Sequence, residues 1–170
     1  RTTNDDHAGR GETIGDVIKN NDIDNRAVAK TLGLKKVFDL GYRNHMMDNY
    51  SMQDIRGRLI FLFRVLKVDT IITYDPWGHY EENPDHYITA QAVESARWMA
   101  GGGRDYPEHL EAGLNPYPVK ERYYFARGPQ LVNRIVDITG TIEKKIDANL
   151  VNVAQGPAGE AGAALKKKLE

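Results

Sequence analysis

The stretch of residues 70–100 constrains the fold more than any other part of the chain. The apolar run of residues 70–73 predicts a buried strand, and the alanine-rich run of residues 89–100 predicts a helix. Between them lies a polar loop, residues 74–86, which carries two histidines and several carboxylates. Pro84 suits the first position of a helix, because its φ is already helical and its missing N–H is not needed there. An α/β fold places a metal or catalytic site in such a loop between strand and helix.

Helices and strands are predicted to alternate along the first hundred residues. The predicted helices cover residues 22–32, 51–66, 84–100 and 139–153, and the predicted strands cover residues 37–40, 70–74 and 120–126. Residues 135–138 are expected to form another strand or an extended turn. Ser51 is expected to cap the second helix, whose predicted buried stripe is Ile55, Leu59, Leu62, Phe63 and Leu66. Residues 104–118 hold three prolines and are expected to form a long irregular loop. This alternation predicts an α/β fold: a Rossmann-like, mostly parallel sheet with helices on both faces.

Length and composition narrow the class of protein. A chain of 170 residues predicts one domain, here residues 1–155, followed by a C-terminal helix or tail at residues 156–170 that is rich in Gly, Ala and Lys. The net charge of −1 gives no footprint for nucleic acid or an anionic membrane surface, and no apolar run is long enough to span a membrane. Cysteine is absent, so a metal would have to be held by imidazole and carboxylate. No signal peptide is recognisable, which favours the cytoplasm.

Several segments together match one protein family. They are TTNDDHAGRGETIGD at residues 2–16, NRAVAKTLGL at 25–34, FDLGYRNHMMD at 38–48, DPWGHYEENPDH at 75–86 and VDITGTIEKKIDA at 136–148. On these segments the chain resembles the LmbE-like, or PIG-L, de-N-acetylases. The resemblance implies a zinc-dependent hydrolase that removes an acetyl group from an N-acetylglucosamine conjugate, with a small amino-sugar conjugate as its partner. The sequence leaves a homo-oligomer open.

The sequence departs from the family pattern in two places. The first family signature, His-Pro-Asp-Asp at the end of a central strand, does not occur, and Asp5-Asp6-His7 has the wrong order to replace it. A chain without that strand would expose two unpaired sheet edges, so we expect roughly 40–60 further residues, one ordinary βα unit, to precede Arg1 in the natural protein. The second signature is often His-Pro-Asp-His, and Asn83 stands at its first position here.

The resemblance assigns the chemical roles to the second signature. His86 is the expected zinc ligand, and Asp85 is the expected catalytic residue, which orients either the ligand or the attacking water. The residues alone also allow a simpler interpretation, in which Asp85 is a helix-capping carboxylate beside an exposed histidine.

Four further residues are expected to bind substrate. Arg26 and Asp48 match the family's arginine and aspartate for the sugar, and Asn4 and His79 are weaker candidates on loops. Each has a plain alternative: a solvated helical arginine, a turn aspartate, and loop residues without a ligand. We expect Arg26 and Asp48 to share one pocket with His86, at the carboxyl ends of the strands.

Two other classes of function compete with the deacetylase. A non-catalytic carbohydrate-binding or structural member of the family would keep the fold without the metal site. Nucleotide binding on a Rossmann-like sheet lacks support, because no G-x-G-x-x-G follows a predicted strand.

Overall fold

The computed structural model describes residues 1–7, 9–78, 80–125, 132–155 and 167. The chain forms two compact units, residues 1–44 with 132–170 and residues 45–131. The helices are α1 (Ile14–Leu32), α2 (Met52–Leu66), α3 (Pro84–Ala100), α4 (Pro107–Glu111) and α5 (Ile142–Val151), and the strands are β1 (Thr70–Tyr74) and β2 (Glu121–Phe125). Short 3-10 turns occupy Met47–Asn49, Thr139–Thr141 and Val153–Gln155. No helix in the described part of the chain is long and apolar enough to cross a membrane.

The first unit pairs its opening residues with residues 40–42. Thr3 and Tyr42 form a parallel bridge, and the Tyr42 N–H donates to the Thr2 carbonyl at 3.1 Å. The Asn4 N–H in turn donates to the Tyr42 carbonyl at 2.8 Å. The chain therefore opens in extended backbone, and the predicted strand at residues 37–40 is reduced to this short parallel pairing.

Helix α1 starts eight residues earlier than the predicted residue 22. Thr13 and Asp16 form a capping box, in which the Thr13 Oγ1 accepts from the Asp16 N–H and the Asp16 carboxylate accepts from the Thr13 N–H. Asn20 and Asn21 are poor helix formers, but their side chains donate to the carbonyls of Arg10 and Asp5 and hold the preceding loop. These loop contacts explain why a polar stretch forms part of the helix.

Helix α5 packs on α1 and buries Ile146 almost completely. The predicted helix at residues 139–153 is therefore confirmed as a 3-10 turn followed by α5. For residues 135–138 the strand alternative is wrong, because Ile135 and Val136 are exposed and carry no ladder. An apolar run needs a strand partner as well as β-branched residues, and no described strand pairs with this one.

The second unit is built on a parallel pair of strands. Strand β1 pairs with β2 in the register Ile71↔Arg122 and Thr73↔Tyr124. Ile71 and Thr73 face the core, whereas Ile72 between them is exposed, so β1 is covered on one face rather than both. Helix α3 packs on β1 and also on α2. This is the predicted α/β class.

The interface between α2 and α3 uses large residues on one helix and small ones on the other. Ser51 caps α2, as predicted, and Ile55 and Ile60 are fully buried. Helix α3 presents four completely buried alanines to the interior, Ala90, Ala92, Ala96 and Ala100. Of the stripe predicted for α2, Leu66 proves exposed, and the buried position near it is occupied by Arg64. The predicted loop at residues 104–118 contains the short helix α4.

Candidate active site

The first turn of α3 is fixed by its own sequence. The Asn83 Oδ1 accepts the Asp85 N–H at 2.9 Å and caps the helix, and Pro84 takes the first helical position. Asp85 and His86 follow directly, as the sequence predicts. An asparagine at the first position of this signature therefore has a structural use, because a short side-chain acceptor there closes the helix end.

The His86 ring is held on two sides. It stacks on the Tyr74 ring with centroids 4.1 Å apart and an interplanar angle of 12°. Its Nδ1 lies 3.1 Å from the Glu81 Oε1, and the Glu81 side chain is largely buried. This contact has the distance of an ion pair but not the alignment of a hydrogen bond. With Nδ1 facing a carboxylate, Nε2 is the ring nitrogen available to a metal.

Asp85 is buried and holds a loop. Its Oδ2 accepts the His45 N–H at 2.7 Å, and its Oδ1 accepts the Met47 N–H at 3.2 Å. His45 has a φ of 56°, in the left-handed region that a residue other than glycine adopts at a cost. The carboxylate thus fixes an unfavourable turn against α3. Its catalytic role stays a prediction, and the structure adds this anchoring role.

Asp48 lies on the loop that Asp85 anchors. It belongs to the 3-10 turn Met47–Asn49, whose Met47 is completely buried while Asp48 is exposed. This turn packs against α3, the helix that carries His86 in its first turn. The structure therefore brings the Asp48 segment to the same helix as His86, which lies 38 residues further along the sequence.

The other predicted substrate residues have different surroundings. Arg26 is 76% exposed at its side chain, and its Nε donates to the Asp22 carboxylate at 2.9 Å, one turn away on α1. The Asn4 Oδ1 accepts the Asp6 N–H at 3.2 Å. Both residues belong to the first unit, whereas Asp48 and His86 belong to the second. His79 lies outside the described residues, and the shared pocket stays a prediction.

A buried carboxylate that the sequence did not single out lies at the end of the parallel pairing in the first unit. Asp6 accepts the Asn44 N–H at 2.8 Å and the Arg43 Nε–H at 2.9 Å. Burial raises the pKa of Asp6, but these two hydrogen bonds, together with the charges of Arg43 and His7, lower the pKa below its ordinary value. Asp6 therefore stays ionised at neutral pH. The one sequence feature that could have indicated Asp6 is its position directly after an extended segment.

The described residues do not contain a complete metal site. No three His, Cys, Asp or Glu side chains come together among them in a way that could hold an ion. The His86 imidazole lies in the first turn of α3, beside the Glu81 carboxylate. A catalytic zinc is usually held by about three protein ligands.

The chain belongs to the PIG-L family of GlcNAc-PI de-N-acetylases, whose profile matches residues 2–97. That match includes the loop of residues 74–86 and the whole first turn of α3. The resemblance expected from the sequence segments is thereby confirmed.

Two curated relatives show what kinds of protein the chain is similar to. One is the 1D-myo-inositol 2-acetamido-2-deoxy-alpha-D-glucopyranoside deacetylase of Mycobacterium leprae, 27% identical, with 62% of this chain and 46% of the relative covered. Another is the diacetylchitobiose deacetylase of Thermococcus kodakarensis, 28% identical, with 76% and 47% covered. The chain spans about half the length of these relatives.

Solved structures share the fold. The N,N'-diacetylchitobiose deacetylase of Pyrococcus horikoshii superimposes with a TM-score of 0.82 at 24% identity, over 99% of this chain and 63% of that one. The 4-carboxy-2-hydroxymuconate hydratase GalB of a pseudomonad gives a TM-score of 0.68 at 21% identity, over 92% and 63%. One fold thus carries two different reactions, so these likenesses establish architecture alone.

Proposed function

We propose that the protein carrying this chain is a zinc-dependent hydrolase that removes an N-acetyl group from an N-acetylglucosamine-type conjugate. The observation that carries the proposal is the His86 ring at the first turn of α3, stacked on Tyr74 with its Nδ1 against Glu81. Family membership and the two deacetylase relatives support the reaction class.

Four side chains of the second unit have a proposed part in this chemistry. His86 offers Nε2 to the metal, and Glu81 keeps the ring in that orientation. Asp85 anchors the loop that carries Asp48, and Asp48 accepts hydrogen bonds from sugar hydroxyls. Zinc, when bound, polarises the acyl oxygen and makes its water a stronger nucleophile near neutral pH.

The first unit is proposed to contact the substrate as well. Arg26 would meet a polar or anionic part of the conjugate, and its ion pair with Asp22 is weak enough to exchange for such a partner, since exposed pairs contribute only about 0–1 kcal/mol. Asn4 and His79 are weaker candidates for the same contact.

Metal analysis combined with a deacetylation assay tests the proposal. Wild-type protein should contain zinc and release acetate from N-acetylglucosamine conjugates, and His86→Ala should lose both properties. Arg26→Ala and Asp48→Ala should lower turnover while the zinc content stays at the wild-type level. Equal zinc content and turnover in wild type and His86→Ala would refute the metal role of His86.

The non-catalytic alternative has a separate outcome. A protein that binds amino sugars but neither holds zinc nor releases acetate would be a carbohydrate-binding member of the family. Glu81→Gln refines the test, because it keeps the size of the side chain and removes its charge. We expect it to weaken zinc affinity by about tenfold or more, as loss of such supporting partners commonly does.

A further inference from the structure

A groove on the flank of α3 gathers both tryptophans of the chain. It has a volume of about 330 Å³ and is lined by Pro76, Trp77, Gln91, Glu94, Ser95, Arg97 and Trp98, all in the second unit. We call this set of residues the tryptophan groove. Trp77 is 64% exposed and Trp98 is 74% exposed. Tryptophan is usually well buried, so two largely exposed ones in a single groove call for a reason.

Hydrogen bonds and ring contacts hold one wall of the tryptophan groove in place. The backbone N–H of Trp77 donates to the Asp75 Oδ1 at 2.9 Å, and the Trp77 ring meets the Tyr124 ring edge-on with centroids 5.8 Å apart. The Tyr124 hydroxyl donates to Glu94, which also accepts from the Arg97 Nε at 2.9 Å. The wall is therefore arranged before any ligand arrives, which lowers the entropy cost of binding.

The charges in the groove cancel. Burial raises the pKa of Glu94, but hydrogen bonds from Arg97 and Tyr124, together with the charges of Arg97 and Arg122, lower the pKa below its ordinary value, so the carboxylate is ionised beside the guanidinium. A phosphate or another strong anion would gain little from such a pair. Exposed aromatic faces next to an amide, a hydroxyl and a balanced ion pair suit a neutral ligand with apolar faces and a hydroxyl rim. A pyranose ring has that character.

We propose that the tryptophan groove is a carbohydrate subsite that binds a sugar ring of an extended conjugate away from His86. Gln91 and Trp98 lie five and twelve residues beyond His86 on α3, or about 8 Å and 18 Å along the helix axis at a rise of roughly 1.5 Å per residue. The groove therefore suits a further ring of the substrate rather than the reacting one. The choice of an acetylated amino sugar rests on the proposed function, whereas the groove itself indicates only a sugar.

Tryptophan fluorescence tests this proposal directly, because both reporters line the groove. Titration of the intact protein with N,N'-diacetylchitobiose should give a saturable change in emission. Trp98→Ala and Gln91→Ala should each weaken binding at least tenfold, and Trp98→Phe, which keeps an aromatic face, should restore most of it. Leu34→Ala, a truncation of an exposed apolar residue in the first unit, is the matched control and should bind like wild type.

Each remaining outcome has a defined meaning. Binding by His86→Ala should stay saturable, and adding Trp98→Ala to it should weaken that binding further, which separates this proposal from the catalytic one. Equal binding of cellobiose would support a sugar subsite without preference for the acetamido group. No saturable change with either disaccharide, or wild-type binding by Trp98→Ala with an unchanged unfolding midpoint, would overturn the proposal. A fluorescence change that depends only on protein concentration would also overturn it and identify a self-association surface.

Discussion

Arg64→Met is expected to destabilise the second unit strongly, although arginine on a helix is usually dispensable. Arg64 is only 3% exposed. Its Nη2 donates to the carbonyls of Gly102 at 2.8 Å and Asp105 at 2.9 Å, and its Nε donates to the Ala100 carbonyl at 3.2 Å. One side chain thus donates hydrogen bonds to carbonyl groups at the C-terminal end of α3 and in the loop that follows it.

The size of the effect follows from these contacts. The Ala100 carbonyl also accepts the Tyr117 N–H, so it keeps a partner when Arg64 is replaced. The two short bonds to Gly102 and Asp105 are charge-assisted, and each such bond contributes about 1.5–3 kcal/mol. Burial also lowers the pKa of Arg64, which shows that the guanidinium is desolvated, and methionine would relieve that cost. We therefore expect Arg64→Met to lower the free energy of unfolding by about 3 kcal/mol, toward the lower end of the summed contribution of the two bonds.

Urea denaturation followed by tryptophan fluorescence measures this loss, because Trp77 and Trp98 both report on the second unit. With a slope of about 1.5–2 kcal/mol per molar urea, the midpoint should fall by roughly 1.5–2 M. Arg64→Lys keeps the charge but loses the planar set of N–H donors, so its urea midpoint should lie between those of wild type and Arg64→Met. Arg58→Met, an exposed position on the same helix, is the control. If Arg64→Met and Arg58→Met had midpoints within about 0.3 M of each other, the hydrogen-bond argument would be refuted.

Three further predictions concern the same unit. Gly57→Ala should destabilise it by about 1–2 kcal/mol despite alanine's better helix propensity, because a Cβ would lie 2.7 Å from the Tyr106 ring; a higher urea midpoint in the variant would contradict this. Asp85→Ala should cost about 2–4 kcal/mol in urea denaturation, since two loop N–H groups lose their acceptor, and a wild-type midpoint would exclude the anchoring role. Burial and the Arg64 charge lower the pKa of His109 below its ordinary 6.5, outweighing Glu108, so the unfolded chain binds the proton more readily. The contribution of neutral His109 to the free energy of unfolding is complete above pH 6.5 and is lost as the pH falls through the lower pKa of the folded state. His109→Gln should therefore flatten that part of the curve of unfolding free energy against pH.

Local sequence determined the parts of the fold that rest on local rules. The Ser51 cap predicts the start of α2, and Pro84 predicts the start of α3; both are confirmed. The apolar run of residues 70–73 located β1. The start of α1 was missed because the Thr13 capping box precedes a polar stretch whose asparagines serve the loop rather than the core.

The candidate site was only partly open to prediction. The Pro-Asp-His sequence pointed to His86, because chemistry-bearing residues at a helix start are visible in one dimension. Glu81 and Tyr74 were missed, since five and twelve residues of loop and strand separate them from the ring they hold. A carboxylate in a loop gives no sequence signal that says which imidazole it will face.

The sequence by itself determined the family, the class of fold and the helix that presents His86, because caps, periodicity and a short motif act over a few residues. Only the tertiary structure decided what the polar side chains do. Asp85 reads as a site residue in the sequence and proves to hold a loop forty residues away. Arg64 is a charged residue on a helix, and the fold buries it among carbonyl groups. The physical reason is that a buried polar group must find its partners wherever the fold places them, and that placement is not written in the neighbouring residues.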